Sequence, residues 1–256
     1  VPAAARDVAR EGVKRLIDYQ DAAYAGLYLD RLDAIAALEH GDSARCELTA
    51  SVARGVALWM SFEDPIRVAD LKIRTARARR VLQEVVPAAG QLVLVTEFMK
   101  PRVEEICGML PVALGTWILK SKARRWLELF TGGRRIATSS ISGFLLLYWL
   151  AGLRRWRRKT LRYSEEQARI VEWLALIANS AQSSYELALE IAECQQLVKG
   201  YGETHERGTS NLDRILRKAR TLQGSAGAPA QIAKLRAAAL ADDQGIALSH
   251  ALSAAG

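Results

Sequence analysis

Apolar residues recur at three- and four-residue spacing through most of this chain, and period-two alternation is scarce, so the pattern reads as helix almost throughout. Over residues 4–39, Val13, Leu16, Ile17, Tyr24, Leu27, Tyr28, Ile35 and Leu38 predict one or two helices, ended by Gly41, Asp42 and Ser43. The next helix sets Leu48, Val52, Val56 and Trp59 on one stripe. Asp64-Pro65 is a strong helix start. The aspartate accepts from free backbone amides, and proline loses nothing at the first helical position. The helix it opens runs to about Val85 and interleaves Ile66, Ala69, Leu71, Ile73 and Val81 with Arg67, Lys72, Arg74, Arg77, Arg79 and Arg80.

Pro87 and Gly90 break that pattern. Residues 91–95 are the best strand candidate, being short, β-branched and bounded by breakers, although they serve equally to open the next helix. Pro101 and Pro111 each start a short helix, with Glu104 and Glu105 in a first turn where the helix dipole favours them. Residues 131–140 read as a Gly/Ser/Thr loop between two halves of the chain. The apolar run 141–153 is about a third too short to span a bilayer. Ser142, Gly143 and Gly152 interrupt it, and it reads as a buried core helix. Ser164 with Gln167 forms a capping box ahead of the apolar face Ile170, Trp173, Leu174 and Ile177, and Ser183 with Glu186 repeats the signal. The helix after Ser183 carries Leu187, Ile191 and Leu197 up to a Gly-Tyr-Gly break, and a further helix spans 203–222. The expected fold is mostly α: a single multi-helix domain of roughly ten helices, with at most one short β segment near 91–95. Residues 1–223 form the helical domain, and 224–256 a flexible linker with an alanine-rich helical tail.

Composition narrows this picture a little. With 256 residues the chain can bury a substantial core, and its 50% hydrophobic and 25% charged content is that of an ordinary globular protein. A net charge of +8 admits nucleic acid, an acidic protein or an acidic ligand without choosing among them. The three cysteines, Cys46, Cys107 and Cys194, lie far apart with no C-x-x-C, which argues against zinc or iron–sulfur ligation within the chain. Reduced thiols in a cytoplasmic protein are the simplest account. The chain opens on Val1 without a leader-like segment, so it is expected to be cut from a longer product.

Three polar constellations stand out. KGYGETHERG (199–208) gathers Lys199, Tyr201, His205 and Arg207 around Gly200 and Gly202. The glycines permit close approach, and Glu203 sits near the start of a helix, where free amides bind anions. A helix corner with Tyr201 plugged into the core accounts for the same residues, and the spacing matches neither phosphate-binding glycine motif. The second is a cluster of six cations in nine positions: Arg154, Arg155, Arg157, Arg158, Lys159 and Arg162, with Trp156 inside it and Tyr163 beside it. Basic residues interleaved with aromatics suit nucleic acid, an acidic subunit or a solvated loop; a membrane surface is the weaker match. The third is the stretch holding Glu63, Asp64, Arg67, Asp70, Lys72 and Arg74, where three-residue spacing pairs Arg67 with Asp70 or Asp64. No catalytic set emerges. His40, His205 and His250 lack a serine or cysteine partner at motif spacing, and Glu104 and Glu105 diverge by about 100° on a helix.

SFEDPIRVADLK (61–72), EFMKPRVEEICGMLP (97–111) and LALEIAECQQLVKGYGETHERG (187–208) occur in one order, and ISGFLLLYWLAGLRRWR (141–157) fits the same pattern. From about Asp18 to Arg214 the chain resembles the C-terminal helical domain, a domain of unknown function, of long bacterial indolepyruvate oxidoreductase (indolepyruvate ferredoxin oxidoreductase) beta subunits. The resemblance implies a gamma-type domain upstream of Val1 and a non-catalytic role here. That role supports oxidative decarboxylation of aryl 2-oxoacids, by packing on the catalytic alpha subunit or by docking a ferredoxin-like acceptor. Thiamine diphosphate and the iron–sulfur clusters are implied for the alpha subunit, with no cofactor, metal or catalytic residue in this chain. The possible ligand or interface residues are Lys199, Tyr201, His205, Arg207, Arg67, Lys72, Arg154, Arg155, Arg157 and Arg158. The alternative is a basic helical nucleic-acid-binding or regulatory protein. No membrane partner is expected, and nucleic acid is disfavoured.

Overall fold

Where apolar periodicity is strong, helices form, and where a proline or an extended residue intervenes, they stop. The computed structural model describes residues 1–39, 46–88, 90–99, 101–131, 133–200, 202–242 and 244–254. His40, Tyr201 and the turn expected at Gly41, Asp42 and Ser43 lie outside these residues. Among the described residues there are fourteen α-helices. In chain order they begin with α1 (Arg6–Tyr19), α2 (Ala22–Ala36), α3 (Glu47–Met60), α4 (Pro65–Ile73) and α5 (Thr75–Val85). Strand β1 (Thr96–Met99) precedes α6 (Val103–Gly108), α7 (Val112–Lys120) and α8 (Ala123–Phe130). Strand β2 (Arg134–Ala137) leads into α9 (Ile141–Gly152) and α10 (Leu161–Ala181). The chain closes with α11 (Tyr185–Glu193), α12 (Gly202–Thr221), α13 (Ala228–Ala241) and α14 (Ile246–Ala254). The fold is mostly α. Contacts divide it into two compact units, Val1–Phe62 with Glu166–Gly256, and Glu63–Glu165.

In the first unit α3 is the central helix, and the predicted stripe Leu48, Val52, Val56 and Trp59 is buried. Helices α1, α2 and α11 pack around it. Two buried tyrosines of α2 satisfy their hydroxyls on its backbone: Tyr24 donates to Met60 O and Tyr28 to Ala53 O, both at 3.0 Å. Without such partners each hydroxyl would carry a desolvation penalty. Helix α13 lies on α11 and α12, and α14 on α13, so the alanine-rich tail is docked helix.

Two helix starts fall elsewhere than the capping boxes indicate. Helix α10 begins three residues before Ser164, because Thr160 already caps it: its Oγ1 accepts from Tyr163 N at 3.3 Å. Gln167 instead accepts from Arg31 at 2.7 Å and donates to the Tyr24 hydroxyl at 3.0 Å. Helix α11 is capped by Ser184, one residue after Ser183, whose Oγ accepts from Leu187 N at 3.1 Å.

In the second unit the expected long basic helix is two. Arg74 between α4 and α5 is extended (ψ 135°) and breaks the hydrogen-bond ladder. Strands β1 and β2 pair antiparallel, Thr96 opposite Ala137 through Met99 opposite Arg134. The β structure therefore begins just after 91–95, and its partner lies inside the 131–140 stretch read as loop. A strand is fixed by the segment that pairs with it more than by its own propensity. Helix α9 overturns the core-helix expectation. Ser140 caps it, accepting from Gly143 N at 3.1 Å, and it packs on α4, yet within α9 only Gly143 and Leu147 are buried. Among the described residues no helix is long and apolar enough to cross a membrane.

Candidate functional site

The KGYGETHERG bend is held by its glycines. Gly200 (φ 73°) and Gly202 (φ 59°) take left-handed backbone, which ends one helical segment and opens α12. Gly208 sits against the preceding turn, where a Cβ would lie 2.2 Å from Leu197 O. Among the described residues of the bend, Lys199 and Arg207 part company with His205. Lys199 is exposed and half-buried Arg207 lies beside it on a pit of about 10 Å³, room for about one water. His205 turns the other way and is buried, its Nε2 3.3 Å from Glu166 Oε1.

Glu166 is the residue that sequence reading missed. Its exposure is 0%, and its Oε2 accepts from Trp59 Nε1 at 2.7 Å. Arg169 Nη1 stands 3.9 Å from Oε1. A buried carboxylate is costly unless paired and hydrogen-bonded, and α3, α10 and α12 each bring it a polar partner. The signal was present: Glu166 falls on the ridge 166, 170, 173, 177, whose other members Ile170, Trp173 and Ile177 are all core. A carboxylate at a core position of an amphipathic helix marks a buried polar network.

In the second unit the basic residues divide by role. Arg67 pairs with Asp70 at 2.9 Å, and Arg74 reaches the same carboxylate at 2.6 Å. Lys72 pairs with Glu97 of β1 at 2.5 Å, and Arg77 joins it. Burial would raise the Glu97 carboxyl, but the Lys72 hydrogen bond and charge, with Arg77, hold it below the usual carboxylate range. Within the 154–162 cluster, Arg157 turns inward at 1% exposure, its Nε donating to Asp64 Oδ2 at 2.7 Å. Arg155 and Arg158 are exposed and Arg154 is half-buried. Lys159 Nζ stands 5.0 Å over the Trp156 ring. Nine of the ten candidates are described: in the first unit Lys199 and Arg207 share the pit and His205 joins Glu166, and in the second Arg67, Lys72 and Arg157 serve ion pairs while Arg154, Arg155 and Arg158 lie along the surface turn.

Those three continue a surface that composition hid. At about 100° per residue, Phe144, Tyr148, Ile141, Leu145, Trp149 and Leu146 fall in that order on an arc of about 200°, diametrically opposite Gly143 and Leu147. All six are exposed, Tyr148 at 61% and Trp149 at 64%, and Phe144 stacks on Tyr148 with centroids 6.1 Å apart. Ser142 and Gly152 are the two positions on the arc without a large apolar side chain. Monomeric proteins rarely leave so much contiguous apolar surface uncovered. The helix runs directly into the basic turn Leu153–Lys159, so an apolar centre adjoins a cationic end.

Among the described residues no group of three or more His, Cys, Asp or Glu could hold a metal ion. Fold and surface together define a mostly helical protein with a buried polar network in one unit and an uncovered apolar and basic face in the other. The DUF6537 model, a family of unknown function, matches residues 5–218, and the chain belongs to that family. No curated protein matches the chain, and no solved structure does.

Proposed function

We propose that the chain is a non-catalytic helical module of an indolepyruvate or aryl-pyruvate oxidoreductase beta subunit, and that it docks on the catalytic alpha subunit through the exposed face of α9. The observation that carries this reading is that face: six large apolar side chains on one arc, next to Arg154, Arg155 and Arg158. Covering an exposed side chain of this size contributes about 1.5–3 kcal/mol. The six together reach on the order of 10 kcal/mol, comparable to the rigid-body cost of association, about 4–15 kcal/mol. The partner surface is an apolar groove with acidic groups at one end. The choice of enzyme rests on the resemblance of 61–72, 97–111, 141–157 and 187–208 to that subunit family. In this reading thiamine diphosphate and iron–sulfur clusters belong to the alpha subunit, and the basic stretches 74–80 and 154–162 steer a ferredoxin-like acceptor.

The nucleic-acid reading has less in its favour. Arg157 faces inward, which breaks the phosphate track, and Lys159 already stands over one face of Trp156.

Sedimentation of the chain mixed with the purified alpha subunit tests the proposal. A co-sedimenting species is expected, and separate boundaries at micromolar concentration refute it. Stopped-flow electron transfer to ferredoxin, with both basic stretches charge-reversed, tests the steering arm: an unchanged rate and salt dependence exclude it.

A further inference from the structure

In the first unit a cleft of about 360 Å³ opens beside Trp59, walled by α10 and α12. That volume is about a dozen waters' worth and falls at the low end of small-molecule sites, about 300–1,000 Å³. Inorganic phosphate alone would not fill it. Arg169, Arg217 and Arg220 line the cleft against the two acids Glu172 and Asp213. Its apolar lining is Trp59 and Leu216, both buried in the core beneath.

The guanidinium groups are only loosely engaged. Arg220 Nη2 lies 3.5 Å from Glu172 Oε2, with both side chains about half or more exposed (49% and 68%), a pairing worth little in water. Arg169 stands 3.9 Å from Glu166, a carboxylate already served by Trp59 and touched by His205. Arg217 Nε donates to its own helix, at Asp213 O over 3.3 Å, and among the described residues its Nη atoms make no ion pair. Arginine's planar fork matches carboxylate and phosphate oxygens two at a time. An arriving anion gains such bonds without breaking a strong one.

We propose that this cleft binds a small organic anion, its carboxylate or phosphate head held by Arg169, Arg217 and Arg220 and its apolar body against Trp59 and Leu216. The site lies wholly within the first unit and does not depend on the docking role proposed for α9.

Calorimetric titration of the 256-residue chain with phenyl phosphate, benzoate, inorganic phosphate and benzyl alcohol tests it. The first two differ only in the anionic head, and the last two remove the body and the charge in turn. Saturable binding of phenyl phosphate or benzoate is expected, with inorganic phosphate and benzyl alcohol each at least tenfold weaker. Arg217→Gln and Arg169→Gln are each expected to weaken the organic anion at least tenfold with an unchanged far-ultraviolet circular dichroism spectrum. Arg10→Gln, at an exposed position of α1, is expected to leave binding alone. No saturable binding by about 10 mM overturns the proposal. So does binding that survives both arginine substitutions, and so does inorganic phosphate binding as tightly as phenyl phosphate.

Discussion

The Arg157 guanidinium holds the Asp64 carboxylate at two points, Nε to Oδ2 at 2.7 Å and Nη2 to Oδ1 at 3.1 Å, with both residues buried. The same Asp64 Oδ1 accepts from Arg67 N at 2.6 Å and so caps α4. One carboxylate thereby fixes the start of α4 and anchors the turn that follows α9. Removing one partner of a buried pair strands the other, at about 3–5 kcal/mol. Arg157→Ala is expected to destabilise the second unit by that amount in urea unfolding, and Arg157→Ala with Asp64→Asn by distinctly less. A loss under about 1 kcal/mol for Arg157→Ala contradicts the assignment.

Glu97 gives the second unit an acid-sensitive contact. Its folded pKa is below the unfolded value, about 4.3. The stabilisation is therefore present above that value and is lost as pH falls through the folded one. Glu97→Gln is expected to cost about 1–2 kcal/mol at pH 7, and the gap from the native chain should narrow as pH falls below the unfolded pKa. Melting temperatures at pH 7, 5 and 3 check this; a gap that widens toward acid reverses the sign.

The 199–208 bend predicts a contrast between two glycines. A Cβ on Gly208 would meet a backbone carbonyl at 2.2 Å, whereas one on Gly26 in α2 would meet nothing within 4 Å. Gly208→Ala is expected to destabilise by about 1–3 kcal/mol, and Gly26→Ala to stabilise by about 0.5–1 kcal/mol. Equal effects from the two would show that the close approach of α12 to Leu197 is not what the glycine serves.

Much of the helical scaffold was legible because local rules decide it. Asp64-Pro65, Pro101 and Pro111 mark real starts, and the α3 stripe is core. The Arg67–Asp70 pair forms at the spacing that predicts it. What was not legible depends on partners distant in sequence. Residues 141–153 are apolar all round, a pattern that normally means burial on every side. Which sides are covered depends on what packs there, and here only Gly143, set against Ala137 at the end of β2, and Leu147 are buried within α9. Arg157 looks like its neighbours in the basic run, and the Asp64 carboxylate it turns inward to meet lies 93 residues earlier. At 199–208 the glycines announced a bend, but the buried network that His205 joins is built on Glu166 and Trp59, far from the motif in sequence.

The central claim is that the α9 face docks a protein partner, and calorimetric titration of the chain with the alpha subunit tests it most directly. Leu145→Glu and Trp149→Glu each place a charge on the exposed arc without touching Gly143 or Leu147, so α9 should keep its seat on α4. The account predicts a saturable complex with the native chain, at least a hundredfold weaker with either variant, at unchanged helicity. A complex of undiminished affinity in both variants, or none with the native chain, would contradict it.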